Sequence, residues 1–138
     1  MNRQMSDEPR DILLTGFPSF VPRKFLEIIL EEEPDATVRL VVRPDFLDNA
    51  ARRLESMDAD EDRIELMSGD VVALDLGLSG TEYLELIANV TDIYHIASIW
   101  YLGADSEQVW EVNVEGARNV IEAAMEMEQL ERLNHFST

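Results

Sequence analysis

Apolar residues along the chain alternate between two rhythms. Asp11-Ile12-Leu13-Leu14-Thr15 is a short apolar run ending at Gly16, and it reads as a buried strand. From Ser19 to about Glu33, Phe20, Val21, Phe25, Ile28 and Ile29 recur at helical spacing. Val38 to Val42, rich in β-branched residues, is the next strand. Asp45 to about Ser56 predicts a helix with Phe46, Leu47, Ala50, Ala51 and Leu54 on one face. Arg63 to Met67 is a third strand, closed by Ser68-Gly69-Asp70. Ser79 opens a helix whose stripe is Tyr83, Leu84, Ile87 and Ala88. Thr91 to Ala97 is a fourth strand, a long helix runs from about Ser106 to Met127, and Arg132 to Ser137 is a fifth strand.

Strands alternating with helices of these lengths imply right-handed βαβ crossovers and a parallel sheet. The strands are almost continuously apolar, as a sheet covered on both faces requires. One α/β domain over 11–138 is expected, after a polar tail over 1–10 read as disordered. Met57 to Asp62, MDADED, reads as a solvated surface loop.

Composition narrows the setting. The chain has 138 residues, 46% of them hydrophobic, which suits one core. It contains no membrane-length apolar run, and its first ten residues lack the apolar centre of a secretory signal. There are no cysteines, so disulfides, thiolate zinc sites and thiol catalysis are excluded. A cytoplasmic setting is the simplest expectation. The net charge of −18 repels phosphate backbones and argues against nucleic-acid binding. Lys24 is the single lysine beside ten arginines. Acidic excess with scarce lysine is a pattern expected of salt-rich cytoplasm, where screening relieves self-repulsion.

In such sheets ligands bind at the carboxyl ends of the strands, and the first strand–helix turn is the place to look. It reads Thr15-Gly16-Phe17-Pro18-Ser19-Phe20-Val21-Pro22. The helix N-terminus there offers N–H groups and a positive dipole end, which suit a pyrophosphate. This frame resembles the extended short-chain dehydrogenase/reductases, especially the branch of fatty acyl reductases and thioester reductase domains. Their first turn reads T-G-x-x-G-F-x-G. Gly16 keeps the first glycine, Ser19 stands for the second and Pro22 for the third. Ser19 is small and a strong N-cap, and Pro22 sits in a first turn where a missing N–H costs little. The ring of Pro22 is bulkier than glycine and is expected to push the helix from the sheet.

Four further stretches carry the resemblance. Val38 to Pro44 is similar to the family's second strand ending in Leu-Val-Arg. An acid there favours NAD through the ribose 2′-hydroxyl, and an arginine favours NADP by pairing with the 2′-phosphate. Arg43, rather than Arg39 inside the strand, is the candidate, with NADP expected ahead of NAD. Ser68-Gly69-Asp70-Val71 resembles the G-D-[LV] motif, whose aspartate lies near adenine in the family; Asp70 also suits a turn. Leu76-Gly77-Leu78-Ser79 matches the branch's L-G-L-S, with Gly77 serving the turn and Ser79 the helix cap. Tyr94-His95-Ile96-Ala97-Ser98 matches Y-H-x-A-A, and Asn113-Val114-Glu115-Gly116 matches N-V-x-G.

The resemblance implies a Rossmann-like doubly wound parallel sheet of about five strands. It implies cofactor contacts from Gly16, Pro18, Ser19, Phe20, Val21, Arg43, Asp70, Val71, Ala97, Ser98 and Asn113. Asn113 would order the active site, and Gly116 would let the long helix pack closely on the sheet. His95 is read as structural, and no metal site is expected, because His135 lies on a different strand. Phe136-Ser137-Thr138 resembles F-S-T, whose hydroxyl bonds the substrate carbonyl in the family. Thr138 is the first candidate for that catalytic role and Ser137 the second.

The family's Tyr-x-x-x-Lys pair is not in this sequence. The expectation is therefore an N-terminal fragment, truncated after the fifth strand. Such a fragment has no turnover of its own. The complete protein would transfer hydride between a nicotinamide and an aldehyde or acyl-thioester carbonyl. An exposed sheet edge would call for a covering chain, with a homodimer as one form. The rival reading is a non-catalytic module that binds a nucleotide or a partner. A Tyr-x-x-x-Lys about 25–35 residues downstream would decide for the enzyme. A flavodoxin-like domain would need a Ser/Thr-rich first loop, which Gly16 to Pro22 does not supply.

Overall fold

The computed structural model describes residues 8–96 and 105–136. Five strands form one sheet: β1 (Asp11–Thr15), β2 (Thr37–Val42), β3 (Ile64–Ser68), β4 (Asp92–His95) and β5 (Arg132–His135). Their order is β3-β2-β1-β4-β5, and every pairing is parallel. The chain winds outward from β1 to β3, then returns to lay β4 on the other side of β1. That reversal creates a crevice at the carboxyl ends of β1 and β4.

Period-2 alternation in the strands divides the core. Ile12, Leu14, Val38 and Leu40 face α1 (Phe20–Glu32) and α2 (Leu47–Ser56). Leu13, Val41, Met67 and Ile93 face α3 (Gly80–Asn89) and the last helix of the chain. The two layers cover the central strands β1 and β2 on both faces, whereas the outer strands β3 and β5 stay partly exposed.

The helices form where the pattern predicts them, but several bury a different stripe. In α1 the buried residues are Pro22, Leu26 and Ile29, whereas Phe20, Val21 and Ile28 are exposed. Pro22 is accommodated inside the first turn of a regular helix. In α3 Leu86 is fully buried, Tyr83 and Ile87 pack beside it, and Leu84 and Ala88 face solvent. A one-residue choice rotates a helical stripe by about 100°, and only packing selects the face. The region before α2 also differs: Pro44–Phe46 is a separate 3₁₀ turn, and Phe46 is exposed. Met57 to Asp62 matches its surface reading, with its acids exposed.

The long helix is not uniform. It comprises α4 (Ser106–Trp110), a π-helical turn (Glu111–Glu115) and α5 (Gly116–Glu126). Gly116 packs on the loop after β3, where a Cβ would lie 2.9 Å from Val71 Cγ2, rather than on a strand.

The amino ends of the strands are tied by ion pairs. Arg10 Nε donates to Asp92 Oδ1 at 2.7 Å and its Nη1 to Glu131 Oε2 at 2.7 Å. Arg39 grips Asp11 through Nε and Nη2 at 2.8 and 3.0 Å, and Nη1 reaches Glu65 at 3.2 Å. Arg63 donates to the carbonyls of Ala36, Leu30 and Glu33, fastening the α1–β2 connection. Arg10 is buried, so it belongs to the folded domain and not to a disordered tail.

Candidate functional site

The first turn is built by one glycine and one uncapped helix. Gly16 has φ +93°, a conformation open to glycine and strained for other residues. Ser19 N–H donates to Gly16 O at 3.0 Å, which turns the chain from β1 into α1. Ser19 has the extended backbone of an N-cap, but its hydroxyl makes no capping bond. No acid lies in the first turn of α1. The helix end thus presents N–H groups and positive dipole at the crevice without a side chain competing for them. Phe20 and Val21 stand exposed beside it, Pro18 is half-buried, and Arg23 and Lys24 both lie over the Phe20 ring at 5.6 Å.

The carboxyl ends of β2 and β3 form the second part. Val42 is opposite Ser68 in the ladder, which sets Arg43 beside Asp70. Arg43 Nε lies 3.9 Å from Asp70 Oδ2 and 3.5 Å from Asp45 Oδ1, with its guanidinium 5.7 Å above the Phe46 ring. Asp70 Oδ1 accepts from Val72 N–H at 3.1 Å, a turn-forming bond. Asp70 N–H donates to Leu76 O at 2.8 Å. Asp75, Leu76 and Gly77 form a left-handed run with φ of 53, 57 and 68°. Gly77 serves this turn, and Ser79 caps α3 in a full capping box with Glu82, both as the motif predicts. Val71 is buried in the core against Gly116, so its side chain is turned from the rim. Its carbonyl accepts from Asn119 Nδ2 at 2.8 Å. Asn119 went unnoticed in the sequence, although a second mid-helix asparagine was a signal available there.

Between these parts lies the floor under β1 and β4. Thr15 Oγ1 is 2.8 Å from His95 Nδ1 and accepts from Ile96 N–H at 2.9 Å. His95 is 2% exposed, and its pKa is pushed down to about 4, first by burial and then by His135. A neutral, sealed imidazole is a bonding partner rather than a proton carrier near pH 7, in keeping with its structural reading. The two histidines sit on different strands, yet the ladder sets them opposite each other, and their rings stack at 5.3 Å. Phe136 packs edge-on against Phe25 of α1 at 4.9 Å. Asn113 is half-buried at the centre of the π-helical turn, a distortion that often marks functional positions. Ala97, Ser98, Ser137 and Thr138 lie outside the described residues.

Residues 14–138 match the family model described as male sterility protein, an NAD-binding domain family. The chain belongs to this family. It is an extended short-chain dehydrogenase/reductase of the fatty acyl reductase branch, with a nicotinamide dinucleotide-binding fold. It is 25% identical to the fatty acyl-CoA reductase wat of Drosophila melanogaster, over 98% of this chain and 29% of that protein. Among solved structures, the terminal R domain from the myxalamid PKS-NRPS biosynthetic pathway is 29% identical, with a TM-score of 0.79. That match covers 97% of this chain and 36% of the other. The reductase domain of a nonribosomal peptide synthetase from Mycobacterium tuberculosis is 26% identical, with a TM-score of 0.77, over 95% of this chain and 33% of its own. The chain thus spans less than a third of the length of the curated relatives it matches.

The residues of this family member fit a dinucleotide. Gly16 admits close approach, the uncapped end of α1 suits a pyrophosphate, and Arg43 offers a cation at the end of β2.

Proposed function

We propose that this chain is the cofactor-binding part of an NADP-dependent reductase that acts on an aldehyde or acyl-thioester carbonyl. The observation carrying the reading is the pairing of an uncapped α1 end with Arg43 at the next strand end. The fatty acyl-CoA reductase and the two reductase domains support the reaction class. When bound, the cofactor supplies the hydride. The chain's own work is binding and orientation. Gly16, Pro18, Ser19, Phe20 and Val21 line the pyrophosphate end, with Ser19 Oγ free to donate to an anion. Arg43 draws in the 2′-phosphate, and Asp70 with the Val71 backbone borders the adenine. By the family resemblance, Ala97 and Ser98 would meet the ribose and pyrophosphate, Asn113 would order the active site, and the Thr138 or Ser137 hydroxyl would orient the carbonyl. A cysteine-free, strongly acidic chain suits the cytoplasm.

Asp45 and Asp70 oppose the 2′-phosphate, so the preference for NADP is a mild one. Titration of the protein with NADPH and NADH tests this. NADPH is expected to bind more tightly, and Arg43→Ala to equalise the two. Equal binding of both at millimolar or weaker affinity overturns the role of Arg43.

A further inference from the structure

The loop that carries Asp70 is held from outside the site. Internally it is closed by the Asp70 N–H to Leu76 O bond and by the left-handed run at Asp75 to Gly77. Gly69 seats against that carbonyl so closely that a Cβ would lie 2.5 Å from it. Externally the loop packs on α5 through Leu76, which shares a buried cluster with Val120 and Ala123, and through Val71, which α5 holds in two ways. The backbone of Gly116 meets the Val71 side chain, and Asn119 Nδ2 bonds the Val71 carbonyl at 2.8 Å. Gly116 and Asn119 are one turn apart, so they act on one face of α5. Asparagine and glycine are both poor helix formers, and α5 places them at its first and fourth residues, where they make this contact.

We propose that Asn119 is a positioning residue for the adenine half of the dinucleotide, a role that rests on the cofactor-binding reading above. Val71 adjoins Asp70, which faces Arg43 across the ends of β2 and β3. Asn119 therefore fixes the height of Asp70 above the sheet. The same helix continues backward into the π-helical turn that holds Asn113. One rigid element thereby sets the spacing between the adenine end and Asn113. The Asn119–Val71 bond holds the loop after β3, the edge strand away from β4 and β5, so its loss is expected to fall on the adenine half and spare the nicotinamide half.

The test uses the two halves of the cofactor as separate probes, adenosine 2′,5′-bisphosphate and reduced nicotinamide mononucleotide, with the full-length protein. Asn119→Leu keeps the size of the side chain and loses the donor. It should weaken the bisphosphate about fivefold and leave the mononucleotide within about twofold. Amide exchange at Asp70 and Val72 should quicken in the same variant. Gly116→Ala is a second variant that favours the helix yet pushes Val71 away, and it should reproduce the selective loss even if Asn119→Leu folds poorly. Equal weakening of both probes, or of neither while the wild type binds the bisphosphate, overturns the proposal alone. A wild type that binds no bisphosphate sinks the cofactor-binding reading, and this inference with it.

Discussion

The two rims of the sheet are opposites in bonding. At the amino ends, two buried arginines are paired with acids: Arg10 with Asp92 and Glu131, Arg39 with Asp11 and the half-exposed Glu65. Thr91 adds bonds to Asp11 and Asp92 from the same corner. At the carboxyl ends, groups are left underused. The Ser19 hydroxyl caps nothing, Phe20 and Phe46 face solvent, and Arg43 meets its two acids only at 3.5 and 3.9 Å. Local rules are obeyed at one rim and broken at the other, as expected when one end stabilises the fold and the other receives a ligand. In this chain of −18 the carboxyl rim still gathers Arg23, Lys24 and Arg43. Against so negative a background, these cations are the attraction available to an anionic cofactor.

The largest effect should come from the amino rim. Asp92→Ala strips the buried Arg10 of its closest partner and should cost about 3 kcal/mol or more of unfolding free energy in a denaturant titration. A loss under about 1 kcal/mol would mean that this rim is no more essential than a surface ion pair.

The floor between β1 and β4 gives a pH-dependent effect of nearly the same size. The folded His95 has a pKa of about 4, below its unfolded value of 6.5, so the unfolded chain takes up the proton first as pH falls. Stability is held above about pH 6.5 and declines toward pH 4, by about 3 kcal/mol from this group. His95→Asn keeps a hydrogen-bonding side chain beside Thr15 Oγ1 and does not titrate, so its decline over that window should be shallower. Identical slopes for the two proteins would remove His95 from the account.

The smallest effect sharpens the contrast within the carboxyl rim itself. Ser79 closes a capping box, and Ser79→Ala should lower stability by about 1 kcal/mol. Ser19 makes no capping bond, so Ser19→Ala should stay within about 0.5 kcal/mol while weakening NADPH. A reversed pattern would make the first turn structural and Ser79 the exposed group.

Much of the candidate site was legible because strand ends and turn residues act locally. Arg43, Asp70, Gly77 and Ser79 take the positions that their motifs imply, since a strand end, a glycine in the left-handed region and an N-cap depend on few neighbours. Helix faces were less legible. Phe20, Val21, Leu84 and Phe46 look like core residues by periodicity and are exposed, because a stripe's rotation is decided by what packs against it. Asn119 is marked in the sequence only as a mid-helix asparagine, and its role stays hidden there because its partner, Val71, lies 48 residues away.

The sequence by itself determined the alternation of strands and helices, the parallel sheet and the turn chemistry at Gly16, Gly77 and Ser79. These follow from spacing and from single-residue backbone preferences. Only the tertiary structure decided that His95 and His135 stack, that Arg10 and Asp92 close the amino rim, and that Asn119 holds the loop of Asp70. Each of those joins residues far apart in the chain, and the sheet order that brings them together is a property of the packed whole.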